Sequence, residues 1–414
     1  MVVSFVTQNQ WNDAKGPMNV DKPSPVLATK GDQDPQWLKD LQRDGVSWAG
    51  STPFTHLLPK TYHLPPITCL PPTLLLPSPA KLDLKTAATG PSEALGLLLR
   101  QARESAGGYH HPLSKCRSQL TPTQFVVVKG VVTPEKAAEY AQKGEEWLEG
   151  FKLGYKRDDP STWDVKKLPK HNRGGLYSQY SFAHSQFVWD AKSEPKIVEL
   201  FETIWGTDKL TVSFDGGSLA VPLPADQVDD NKAPWPHSDQ SAYRPQRHCI
   251  QGLLNLLPNG PNDGGLMVMR GTANLFGQYF EEHKHLEGWT KRDGFRWTDE
   301  TLQWFVDRGC EWVKPAMDPG DFVLWDSRTA HYGAAPMEEK KRFAIYICYK
   351  PDAYLTPEQR ERKVEAFKRG YCTSHDPTDF VIKDNQEAGW NVHFPYGKPT
   401  LSDKTEKAVG LKAY

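Results

Sequence analysis

The hydrophobic pattern divides the chain into stretches of unlike texture. Residues 1 to about 35 are polar and rich in turn formers, with no sustained period, which predicts a mobile arm. From Asp34 to Gly45, Trp37, Leu38 and Leu41 share one helical face and Gly45 closes it, a short helix. From Val46 to about Gln124 neither period 2 nor period 3.6 holds. Prolines pair at 65–66 and 71–72, leucine triplets stand at 74–76 and 97–99, and charge nearly vanishes over 46–80. An irregular insertion this long is uncommon inside a compact domain.

Patterning resumes at Phe125. FVVV (125–128) predicts a strand, and Thr133 followed by Pro134 opens a helix with the threonine as N-cap. Residues 193–206 predict a third helix, with Ser193 as N-cap, Pro195 near its start and Gly206 beyond its end. Past Lys209 short apolar runs recur at 210–214, 218–223, 248–257, 266–269, 311–316, 321–326 and 342–350, punctuated by Gly, Pro, Asn and Asp. This rhythm predicts a mainly β domain with flanking helices, a sandwich or barrel rather than alternating α/β units. A helical insertion is expected at about 275–308, and Thr356 to Gln359 forms a capping-box pattern that opens another helix. The tail beyond 371 has little period and is expected to wrap the core. The predicted organisation is an arm and short helix (1–45), the irregular insertion (46–124), the β domain (125–355), and a C-terminal helix with its tail (356–414).

The flanks of the insertion fit together without it. LQRDG (41–45) joined to FVVVKGV (125–131) makes an ordinary helix–turn–strand unit. Val46-Ser47 can be encoded by a donor-like GTNAGY, Leu120-Thr121 by a branch-point-like CTNAC, and Gln124 by a terminal CAG. The expectation is a translated retained intron or gene-model error; a genuine insertion of low order is the alternative.

Composition narrows the function classes. Fifty Lys and Arg stand against 51 Asp and Glu, a net charge of −1, which argues against bulk electrostatic binding to nucleic acid or anionic membrane. With 38% hydrophobic and 11% aromatic residues the chain has material for a sizeable core. Six cysteines, at 69, 116, 249, 310, 348 and 372, form no C-x-x-C pair, which suggests a reducing compartment. The most apolar stretch, 63–80, is broken by prolines, and no signal peptide is evident at the start. A soluble, cytoplasmic protein is expected, with a peroxisomal location left open and the oligomeric state undetermined.

Candidate chemistry begins at His237-Ser238-Asp239. On an extended segment residues i and i+2 project to the same side, so imidazole and carboxylate can converge on one ion. Alone the pair is weak, since Asp239 could cap a turn and His237 could be a loop histidine. His331 follows the strand DFVLWD, and Arg342 comes eleven residues later at the head of RFAIYICYK. Two histidines and one carboxylate make the facial set that binds Fe(II) with open positions, and a guanidinium fork suits a carboxylate. Competitors are poorer. His285 and Glu287 lie in a segment that reads as helix, where i and i+2 diverge by about 200°. Residues 215–217 and 262–265 read as hairpin turns rather than phosphate loops.

With HSD at 237–239, IQGLLNLLPNGPNDGGLMVMRGTAN at 250–274, GDFVLWDSRTAHYG at 320–333 and Arg342, the chain resembles the phytanoyl-CoA dioxygenase-like branch of the Fe(II)/2-oxoglutarate-dependent oxygenases, and most of all its fungal members, over roughly 125–350. The resemblance implies a double-stranded β-helix (jelly-roll, cupin-like) core. It implies His237, Asp239 and His331 as iron ligands, Arg342 for the C5 carboxylate of 2-oxoglutarate, and O2 as the other co-substrate. The substrate would be a small lipid-derived or specialised metabolite, oxidised at an unactivated C–H bond with release of succinate and CO2. Related halogenases lack the carboxylate, so Asp239 favours hydroxylation or another oxygenase outcome. Gly333 departs from relatives that place a hydroxyl two residues after the distal histidine. Gln251 and Asn255 share a strand face and could meet co-substrate or substrate if that face is inward, or be satisfied sheet amides if not. Trp235 and Tyr243 flank the ligand motif and could wall the pocket or simply pack. The alternative function is a catalytically inactive jelly-roll binding protein or a defective isoform.

Overall fold

The computed structural model describes residues 124–414 apart from 225–226, 228–233, 286–288, 290, 292 and 335–339. The expected N-terminal arm, the helix at 34–45 and all but the last residue of the 46–124 segment lie outside the described residues.

Strands numbered in chain order build two facing antiparallel sheets. The first runs β1 (Phe125–Val128), β10 (Phe322–Asp326), β6 (Ile250–Asn255), β12 (Arg342–Ile347), β4 (Gly217–Ala220), β2 (Leu176–Tyr177). The second runs β8 (Phe295–Arg296), β5 (His237–Ser238), β11 (His331–Ala334), β7 (Gly265–Arg270), β9 (Glu311–Val313). A ribbon of β3 (Leu210–Val212) and β13 (Tyr349–Pro351) stands apart. From β4 to β7, and again from β10 to β12, successive strands change sheets at every step. That alternation is the double-stranded β-helix. It also corrects the reading of 215–217 and 262–265 as hairpin turns: β3 does not pair with β4, nor β6 with β7, so both segments are crossings between strands that belong to different sheets or ribbons. Local turn chemistry is the same for a hairpin and a crossing, and the partner is chosen by packing at long range.

Side-chain alternation explains the layers. In β12, Phe343, Ile345 and Ile347 point to one face and Arg342, Ala344 and Tyr346 to the other. The first set joins Leu254 and Phe322 in packing against α1 (Pro134–Glu149), α2 (Gln186–Lys192) and α3 (Pro195–Trp205), with Tyr140, Trp147, Trp189 and Phe201 in the same core. The second faces inward, where Leu253, Val323, Trp325 and Ala344 of the first sheet meet Leu266 and Val268 of the second. Because β6 is covered on both faces, all six of its residues are buried, and LLNLL shows no alternation in the sequence. Outside the second sheet, α4 (Thr272–Glu282) and α5 (Asp299–Val306) enclose Phe276, Tyr279, Phe280, Trp297 and Phe305.

The helix ends follow the sequence with one exception. Thr133 accepts from the Lys136 N–H as N-cap, and Thr356 with Gln359 forms a capping box on α6 (Pro357–Arg369). Ser193, expected to cap α3, instead ends α2; the cap of α3 is Glu194, because Pro195 takes its first position. The span 275–308 is only partly helical, since β8 interrupts it and pairs with β5. Helix α4 ends at Glu282, so His285 is not in a helix, and Glu287 lies outside the described residues. In the tail, Tyr371, Cys372 and Phe380, with Ala408 and Val409 of α7 (Asp403–Val409), join the main core. Among the described residues no helix is long and apolar enough to cross a membrane.

Candidate metal centre

Strands β5 and β11 pair so that His237 stands opposite His331. Directly opposed residues project to one side, and the two imidazole centroids are 4.3 Å apart. Asp239, just past β5, is anchored by its backbone N–H to the Ser327 carbonyl at 3.1 Å. Its carboxylate lies between the rings, Oδ1 3.4 Å from His237 Nε2 and Oδ2 3.2 Å from His331 Nε2. The three ligand-type atoms lie within 4.8 Å of one another.

The far side of each ring decides what the near side can do. His237 Nδ1 is 3.2 Å from the Trp235 carbonyl, and His331 Nδ1 is 2.9 Å from that of Thr329. A carbonyl only accepts, so each Nδ1 carries a proton, and Nε2 is the ring atom turned toward Asp239. Burial lowers the His237 pKa, with the neighbouring His331 adding to it, so the neutral ring is favoured. Burial works to raise the Asp239 carboxyl, but the facing His237, His375 and His331 outweigh it and hold the group well below its ordinary value. Two imidazoles and one carboxylate, all buried or half-buried, are a donor set that suits Fe(II).

The other residues singled out in the sequence divide. Gln251 reaches the centre: its Nε2 donates to Asp239 Oδ2 at 2.9 Å. Trp235 stacks on His237 at 4.3 Å and 10°, and its Nε1 donates to the Gly333 carbonyl at 3.2 Å. The Asn255 amide, although on the inward face, donates to the carbonyls of Leu257 and Asp318 at 2.6 and 3.1 Å and so ties a turn. Tyr243 is 53% exposed, with Trp289 edge-on at 6.5 Å.

Arg342 projects between the sheets and is half-buried; its Nε is buried with no hydrogen-bond partner among the described residues. Gly265, at φ +121°, makes room for it, since a Cβ there would lie 2.8 Å from that Nε and 3.3 Å from Asn259 Nδ2. Lys314 adjoins the same corner, its Nζ donating to Asn259 Oδ1 and, at 3.3 Å, to the Gly264 carbonyl. Burial and the nearby Arg342 push the Lys314 ammonium down to about 8. A buried guanidinium Nε without a hydrogen-bond partner among the described residues stands beside an ammonium held below its ordinary pKa. Its chemistry fits a carboxylate such as that of 2-oxoglutarate. The sequence reading passed over Lys314, although a lysine inside the run EWVKPA was a visible signal.

His375 was also missed. It is buried, with Nδ1 3.9 Å from Asp239 Oδ2. No local spacing connects a residue of the tail to β5.

A second group, His248, Asp376 and Asp379, also brings its ligand-type atoms within 4.8 Å. Here cations are already present. Lys350 Nζ lies 3.1 Å from Asp376, and Arg244 Nη1 lies 3.2 Å from Asp379 and 2.8 Å from His248 Nε2. Burial would raise the Asp376 carboxyl, but Lys350 and His248 hold it well below its ordinary value.

Residues 125–344 match the family model described as phytanoyl-CoA dioxygenase. The Ava biosynthesis cluster protein O of Aspergillus versicolor is 38% identical over 269 residues, 62% of this chain and 84% of that protein. A putative phytanoyl-CoA dioxygenase of Dictyostelium discoideum is 20% identical over 303 residues, 62% of this chain and 81% of its own length. Among solved structures, EctD from S. alaskensis with bound Fe is similar at a TM-score of 0.41 and 12% identity, over 60% of this chain and 80% of that one.

Proposed function

The chain belongs to the phytanoyl-CoA dioxygenase family, and from that premise we propose that it is a non-haem Fe(II)/2-oxoglutarate-dependent dioxygenase acting on an unactivated C–H bond of a small organic substrate. Succinate and CO2 would be released with the oxidised product. The observation that carries this reading is the convergence of two Nε2 atoms and one carboxylate, with both Nδ1 atoms tied to carbonyls. His237, Asp239 and His331 would hold the iron, and iron supplies the oxygen-activating chemistry that no side chain offers.

The chain's own residues bind, orient and exclude water. Gln251 fixes the Asp239 carboxylate. Trp235 and Trp325, at 4.3 and 5.5 Å from the two histidine rings, shield the centre from solvent. Arg342, assisted by Lys314, takes the far carboxylate of 2-oxoglutarate. Lys314 thus supplies what the missing hydroxyl at Gly333 does not. The name of the 38%-identical relative places that protein in a biosynthesis cluster, which favours a specialised metabolite over a bulk lipid as substrate.

The test is 2-oxoglutarate turnover. Iron-loaded protein is expected to form succinate under air, and His237→Ala to form none. Equal succinate from both would remove the ligand assignment.

A further inference from the structure

The tail brings a third imidazole to the centre, and the molecule is built to keep it there. His375 Nδ1 faces Asp239 Oδ2 at 3.9 Å, the same oxygen that accepts from Gln251. At that separation the two groups face each other without a direct hydrogen bond, and a movement of about 1 Å by either side chain closes one.

The segment carrying His375 is pinned on both sides. Thr373 donates its N–H to the Phe214 carbonyl at 2.8 Å, and Ser374 to that of Val381 at 2.7 Å. Immediately after His375, Asp376 is fully buried. Its Oδ1 accepts from the Thr378 N–H, the Thr378 hydroxyl and the Asp379 N–H at 2.8, 2.9 and 3.0 Å. Its Oδ2 faces His248 Nε2 at 2.7 Å and Lys350 Nζ at 3.1 Å. His248 leads into β6, and Lys350 lies in β13. A buried ion cluster is poor evidence of stabilisation, since apolar replacements often do as well; its best-attested use is to fix a register. Here the register it fixes is that of the residue beside it. A slip of one position would turn His375 away from Asp239.

We propose that His375 is a positioning residue for Asp239. Together with Gln251 it holds Oδ2 and so orients the carboxylate within the ligand set, and the cluster of Asp376, Lys350 and His248 is the clamp that seats it. The inference rests on the metal site proposed above.

Co(II), whose visible spectrum reports its ligand field, separates the two ideas. Metal-free protein is titrated with Co(II) alone, comparing wild type with His375→Phe, which keeps the ring volume and removes the N–H, and His375→Asn, which returns an N–H donor close to the Nδ1 position. Wild type should bind one ion. His375→Phe should bind it about 10–100-fold more weakly with an altered spectrum, the range for loss of an outer partner of a ligand. His375→Asn should recover most of both, and matched melting curves show that the fold is intact. Unchanged affinity and spectrum in His375→Phe overturn this inference and leave the metal site standing. Failure of wild type to bind Co(II) overturns the metal site, and this inference falls with it.

Discussion

His237, Asp239 and His331 on one side, and His248, Asp376 and Asp379 on the other, are built from the same residue types, and each brings its ligand-type atoms within 4.8 Å. They differ in what surrounds the carboxylates. Around Asp376 and Asp379 the positive charge is already supplied by Lys350 and Arg244, at 3.1 and 3.2 Å. Around Asp239 there is no lysine or arginine partner among the described contacts, only the two Nε2 atoms, the Gln251 amide and His375. The second group's carboxylates are thus already paired with cations, whereas Asp239 has no such partner among the described contacts. Proximity of histidines and carboxylates does not by itself mark a metal site; under the proposed function, the Nδ1–carbonyl contacts and the missing counter-cation separate the two groups.

Substitutions can break that contrast. Asp239→Ala should abolish both metal binding and succinate formation, a loss beyond the ~100-fold typical of outer-shell changes; metal analysis and succinate assay check it. Asp376→Ala removes the clamp that seats His375, so protein that still folds should bind metal no more than about 10–100-fold more weakly, as His375→Phe does, and the larger loss should be in stability. Removing one partner of a buried pair costs about 3–5 kcal/mol, read as a lower denaturant midpoint. Asp376 is held below its unfolded value near ~3.9. Its contribution is therefore present above that value and lost as pH falls through the folded one. An acid unfolding curve should show Asp376→Ala losing this pH dependence.

Gln251→Leu should weaken metal binding about 10–100-fold with little change in melting, whereas an equal loss of stability would make Gln251 a packing residue. The smallest expected effect is at Lys314. Lys314→Met should weaken 2-oxoglutarate binding about 10-fold, the worth of one charge-assisted hydrogen bond. Because the ammonium titrates near 8, wild-type affinity should fall as pH rises through that value, and Lys314→Met should lack the fall. A binding isotherm at pH 7 and pH 9 checks both.

The parts of this account that were legible in the sequence are those written in local pattern. The strand after Asp321, the i,i+2 pair at 237–239 and the capping box at Thr356 depend on neighbours only. β5 and β8 escaped because each is two residues long and carries ligand or rim residues instead of an apolar alternation. The crossings at 215–217 and 262–265 escaped because sheet partnership is settled at long range. His375 reaches Asp239 only through the packing of the tail. Gln124 belongs to the fold: it is buried and its side chain accepts from the Ala273 N–H at 2.8 Å. The proposal that 46–124 is a translated retained intron is open to direct test. Transcripts joining Gly45 to Phe125 are expected, and their consistent absence from well-covered RNA would refute it.

The central claim, that the triad is the metal site and the second cluster is not, is tested most directly by anaerobic titration with Fe(II) and then 2-oxoglutarate. The account predicts one Fe(II) per chain, a weak visible charge-transfer band that appears only on adding 2-oxoglutarate, and loss of both in Asp239→Ala. Folded wild-type protein that shows no band, or iron binding that survives Asp239→Ala, would contradict it.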